Sequence, residues 1–108
     1  MTIQGSFAPN GASAPTNALG KGWSVARTAV GTFVITLQDS YVSLESLGTD
    51  LQFEAATANW SQFGPVDVVT AKTVTIYTVN SAGAPTDIAA NSARRVNFGL
   101  GLVNSTVI

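Results

Sequence analysis

Asp39, Glu45, Asp50, Glu54, Asp67 and Asp87 are the side chains through which this chain could carry acid–base chemistry, because its 108 residues contain no His and no Cys. Two carboxylates suffice for glycoside hydrolysis when the fold holds them about 5–10 Å apart. The six are scattered singly, and no spacing between them marks out a pair. Without imidazole or thiolate the commonest general base, nucleophile and zinc ligands are missing, and no Asp-rich loop of the calcium-binding type occurs. The expectation is a protein that is not an enzyme and holds no metal or cofactor.

The next candidates are aromatic. Trp60 and Phe63, flanked by Asn59, Ser61 and Gln62, could offer ring faces and amides to a sugar, although loop aromatics also serve as plugs over a sandwich end or as interface anchors. Gly99 and Gly101 stand two apart in a run that otherwise reads as a strand. Glycine is unfavourable there, so its repetition on one face implies close approach by another backbone, ring or subunit, or room left for a large core side chain such as Trp23 or Trp60. Arg94 and Arg95 are the only adjacent like charges, and on a strand they would point to opposite faces. With five basic residues spread from Lys21 to Arg95, there is no electrostatic footprint for a nucleic acid.

Composition frames these candidates. The chain has five basic and six acidic residues, a net charge of −1 and 45% hydrophobic residues, whereas an ordinary domain is roughly a quarter charged. The mean hydropathy is +0.27, too high for a disordered chain. No apolar run approaches the ~20 residues needed to span a bilayer, and Met1 to Ser6 lacks the basic and apolar regions of a secretory signal. The expectations are a folded domain, made in the cytoplasm, with no membrane partner and broad neutral surface suited to burial against other protein.

The elements that would position these residues are short strands. Residues 1–22 are rich in Gly, Ala, Ser, Pro and Asn, with Phe7 and Leu19 as their large apolar side chains after Ile3; the reading is an extended N-terminal arm, ordered by contact, ahead of a single domain over 23–108. Trp23 to Thr28 and Thr32 to Leu37 alternate with period two around Val30-Gly31 and predict a hairpin. Tyr41, Leu44 and Leu47 suit one helical turn or a packed loop. Further strands are expected over Asp50–Ala58, Val66–Val69, Lys72–Val79 and Arg94–Val103, with a break at Gly64-Pro65 and a long loop from Asn80 to Ala93. Six or seven short strands without a long helix predict an all-β fold, an antiparallel sandwich of jelly-roll-like type.

The run from Trp23 to Leu37 followed by Asp39-Ser40-Tyr41, then Ala84-Pro85-Thr86-Asp87-Ile88 and the closing Arg95-Val96-Asn97-Phe98, resembles the small β-rich virion proteins of tailed bacteriophages, in particular capsid decoration proteins. The resemblance covers about two thirds of the chain and carries no diagnostic site motif. It implies a homotrimer on the capsid surface, binding and stabilising the shell of major capsid protein. Phe7, Leu19, Gly99, Gly101 and Arg95 are the expected protein contacts in that setting. The alternative is a carbohydrate- or receptor-binding module of a fibre or surface appendage, with Trp60 and Phe63 at its site.

Overall fold

The computed structural model describes residues 2–39, 41, 43–54, 59–90 and 93–103. Their alternation of apolar and polar residues builds eight strands: β1 (Thr2–Asn10), β2 (Ser13–Gly20), β3 (Trp23–Ala29), β4 (Thr32–Leu37), β5 (Ser43–Gln52), β6 (Trp60–Asp67), β7 (Thr73–Val79) and β8 (Arg95–Val103). No helix occurs among the described residues. The strands form two antiparallel four-stranded sheets, β2-β1-β8-β5 and β3-β4-β7-β6, which pack as a sandwich. The expected all-β sandwich is what the chain adopts. At the seams β2 runs beside β3 and β5 beside β6. Strands β5, β6 and β7 thus follow one another around the molecule and β8 returns beside β5, a Greek key.

Every strand but β2 contributes side chains of one face to the interior. From the first sheet come Ile3, Phe7, Val96, Phe98, Leu100 and Leu102, and from the second Phe33, Ile35, Leu37, Val74 and Ile76. The sheets lock through aromatic contacts: Phe7 meets Phe33 at 5.0 Å between ring centres, and Trp23 meets Phe98 edge-on at 4.8 Å.

The described residues of the 1–22 segment, 2–22, are not a separate arm, and the domain does not begin at residue 23. Strands β1 and β2 form a hairpin, and β1 lies inside the first sheet between β2 and β8. Its inward positions are Ile3, Gly5 and Phe7. Gly5 leaves a gap on the core face of β1, and Trp23 of β3 fills it; a Cβ on Gly5 would collide with the indole. The burial that holds β1 in place thus comes partly from a side chain eighteen positions further on, so the local composition looks too poor to pack.

Tyr41 to Leu47 is not a helical turn. Leu44 pairs with Leu102 and Leu47 with Leu100, with a register shift between Leu44 and Ser46. One extra residue in β5 turns the strand spacing of two into three, and a β-bulge thereby imitates a helix. Gly64-Pro65 is likewise a bulge inside β6, between Phe63 and Val66, and β6 starts at Trp60 rather than Val66. The expected strand over Asp50–Ala58 ends at Gln52, while 55–58 lie outside the described residues.

The segment following β7 is strapped over the β3–β4 turn. Asp87 accepts hydrogen bonds from Arg27 Nε at 3.0 Å and Nη2 at 2.8 Å, and from Gly31 N at 3.0 Å. Thr86 N donates to Thr78 O, and the buried Thr78 hydroxyl donates to Thr86 O, both at 2.8 Å.

Candidate functional site

Four of the five expected contact residues converge on the outward face of the first sheet. Phe98 and Leu100 point inward, so Arg95, Asn97, Gly99 and Gly101 point outward. The register extends this face to Thr2, Gln4 and Ser6 of β1 and to Ser46, Gly48 and Asp50 of β5. Leu19 of β2 sits opposite Ser6 and is 60% exposed. Arg95 is tied down: its guanidinium donates to Ser6 Oγ at 2.9 Å and to Asn17 O at 2.6 Å. Phe7 does not belong here. It is fully buried against Phe33, because it occupies an inward position of β1.

The centre of this face is an open trough of about 400 Å³ lined by Gln4, Gly48, Thr49, Asp50, Asn97, Phe98 and Gly99. Gly48 and Gly99 are directly paired across β5 and β8. A Cβ on Gly48 would meet nothing within 4 Å, and one on Gly99 only Gln4 Cγ at 3.9 Å. At Gly101, by contrast, a Cβ would run into the Ser46 hydroxyl. Neither reading of the Gly99/Gly101 face as room for a core indole holds, since both glycines face away from the core. Gly48 escaped the sequence reading because the bulge hid β5; its signal was a glycine without a turn residue beside it.

The outward face of the second sheet has different chemistry. Thr32 and Thr36 of β4 and Thr73 and Thr75 of β7 stand on it, as their alternation with buried Phe33, Ile35, Val74 and Ile76 requires. Trp60 lies at its edge, 53% exposed. Phe63 is not beside it: paired with Ile76 on the inward side, it packs on the core. The second aromatic on this face is Tyr77, opposite Gln62 and Thr32, with its ring over Gly64 where a Cβ would collide. Alternation along β7 already placed Tyr77 with Thr73 and Thr75. What the sequence did not show was the neighbouring strand.

Four of the six carboxylates accept hydrogen bonds within the fold. Arg94 donates to both oxygens of Glu54, at 2.9 and 2.6 Å, and this hydrogen bonding holds the Glu54 carboxyl down to about 2. Arg94 also lies 4.8 Å over the Phe53 ring. Asp67 caps the turn after β6, accepting from the amides of Thr70, Ala71 and Val69, which lower its pKa. Asp87 is lowered by Arg27 first and by the Gly31 amide second. Asp50 accepts from Asn97 Nδ2 at 2.8 Å. Glu54, Asp67 and Asp87 are thus shifted away from the raised pKa that a general acid requires, and no group of three potential metal ligands occurs among the described residues.

Comparison with models of protein families, with curated proteins and with solved structures gave no match in any of the three. The two outer faces must therefore be read from their own geometry.

Proposed function

We propose that the chain is a non-enzymatic structural subunit of a virion, a capsid decoration protein that docks on the major capsid protein through the outward face of its first sheet and works as a homotrimer on the capsid surface. The observation that carries this reading is the Gly48–Gly99 pair. Glycine in a strand interior costs roughly 0.5–1 kcal/mol relative to alanine, and Gly48 has no crowding inside its own chain to justify that cost. A trough floored by this glycine pair, between the side chains of Gln4, Asp50 and Asn97, suits the close approach of another polypeptide. Exposed Leu19 supplies an apolar contact at its margin, and the small side chains of Ser6, Ser46 and Thr2 keep the surrounding face flat.

The test is occupancy on shells of the virus that encodes the chain, measured by co-sedimentation for the native protein and for Gly48→Val and Gly99→Val. Both substitutions enter open space, so thermal stability should hold or rise while occupancy falls at least tenfold. Full occupancy by both variants would overturn the docking face, and failure of the native chain to sediment with shells would overturn the function. The mass of the free protein in solution checks the trimer.

A further inference from the structure

On the opposite side of the sandwich, we infer that Trp60, Gln62 and Tyr77 form a binding platform for a neutral polysaccharide. In the β6–β7 register Trp60 stands opposite Val79 and Gln62 opposite Tyr77. Tyr77 is therefore the diagonal neighbour of Trp60, with Cα atoms roughly 7–8 Å apart in a paired sheet, and its ring leans to the Gly64 side, so that Gln62 stands between the two rings along β6. Two rings with an amide between them fit the span of a disaccharide. The bulge at Gly64 makes room for the Tyr77 ring over the backbone of β6, where a Cβ on Gly64 would collide with it.

The polar groups complete the match. Among the described residues the side chains of Trp60, Gln62 and Tyr77 enter no hydrogen bond, so the indole N–H, the amide and the phenol remain for ligand hydroxyls. Thr75, next along the same face, adds a hydroxyl, and Thr32, paired with Tyr77, adds an acceptor oxygen, its own proton being donated to Val30 O. No charged side chain stands opposite or diagonal to the three platform residues in either strand pairing. A phosphorylated or acidic glycan would find no cation here.

This site is independent of the docking trough, which lies on the other sheet, so shell binding and sugar binding can fail separately. The test is electrophoresis of the whole protein in native gels cast with dextran, galactomannan or hydroxyethyl cellulose, with alginate as the anionic comparison. At least one neutral polymer should retard the native chain, and alginate should not. Trp60→Ala and Tyr77→Ala should each weaken that retardation roughly tenfold, as expected for an exposed ring that stacks, whereas Trp60→Phe should retain most of it. Leu19→Ser, on the other face, should behave as native. Far-UV circular dichroism identifies any variant that fails to fold, and Gln62→Leu, a surface exchange, then serves in its place. Mobility unchanged by every neutral polymer, or retardation equal in native, Trp60→Ala and Gln62→Leu proteins, would overturn the inference.

Discussion

Gly31 and Gly11 have nearly the same backbone conformation, with φ of +57° and +58°, in opposite surroundings. A Cβ on Gly11 would meet nothing within 4 Å, while one on Gly31 would fall on Thr86 N and within 2.6 Å of Thr78 O and 2.7 Å of Thr86 O. Alanine at either position incurs the left-handed penalty of roughly 1–2 kcal/mol, less about 0.4–1 kcal/mol recovered by stiffening the unfolded chain. Gly11→Ala should therefore cost about 1 kcal/mol. Gly31→Ala must also push the strap away. That breaks the Thr86 N–Thr78 O bond and the Gly31 N–Asp87 bond, each contributing about 1 kcal/mol, and it leaves the Thr78 hydroxyl buried without Thr86 O.

The sum for Gly31→Ala is about 3–5 kcal/mol, a large part of the roughly 5–15 kcal/mol by which domains are stable. Urea denaturation with a common m-value measures both variants, and melting should fall by about 15 °C or more for Gly31→Ala. Gly83, at φ +78° with open space around it, is a second reference and should resemble Gly11. If Gly31→Ala and Gly11→Ala differ by less than about 0.5 kcal/mol, the strap does not bear on the turn and the reasoning fails.

Deleting residues 1–20 should abolish cooperative unfolding, since β1 is an interior strand; Phe7→Ala alone should cost about 3–5 kcal/mol, and a truncated chain that still melts cooperatively would restore the arm. Stability should be flat from pH 5 to 7, for the chain has no His. Because Glu54, Asp67 and Asp87 are all lowered in the folded state, their contribution is present above the unfolded carboxyl values near about 4 and is lost as pH falls through the folded ones, about 2 for Glu54. Asp87→Asn should thus melt below the native protein at pH 7 and approach it near pH 2, as thermal scans across that range can establish. Association through either face should change less than about threefold between 0.05 and 0.5 M salt, because there is little charge to screen; a steep slope in a salt titration of shell occupancy would contradict this.

The strands that the sequence made legible, β3, β4, β7 and β8, are those whose own residues supply their buried face. Phe33, Ile35 and Leu37, or Val96, Phe98, Leu100 and Leu102, announce a period of two without help. The strands that were missed, β1 and β2, or read only at one end, β5 over Asp50–Gln52 and β6 over Val66–Asp67, borrow from elsewhere. β1 carries Gly5 where Trp23 packs, β2 is exposed along most of its length, and β5 and β6 carry bulges that shift the phase of the pattern. Leu19, Gly99, Gly101 and Arg95 came together because alternation along β8 sends three of them outward, whereas Phe7 went inward by the same rule. Trp60 was recognisable as an isolated aromatic, but its partner could not be, since nearness in sequence favoured Phe63 and the register of β6 against β7 chose Tyr77.

The scarcity of charge is sharper in the folded protein than in the composition. Arg27 with Asp87 and Arg94 with Glu54 neutralise one another in pairs. Asp67 is turned onto backbone amides and Arg95 onto Ser6 and Asn17. Each of these contacts pins a loop, a turn or an edge strand, so the few ionic groups serve mainly to hold the irregular parts of the chain against the sheets. Lys21, Asp39, Glu45, Asp50 and Lys72 remain, on a protein exposing 5752 Å². Asp50 is already held by Asn97. The outer faces are left to glycine, hydroxyls, amides and two aromatic rings, groups whose contacts depend on fit and direction rather than on long-range attraction. On the proposed reading such a surface gains little from electrostatic steering. Affinity would then come from close surface match repeated over many copies, the regime in which the glycine-floored trough on one sheet and the aromatic pair on the other would be useful together.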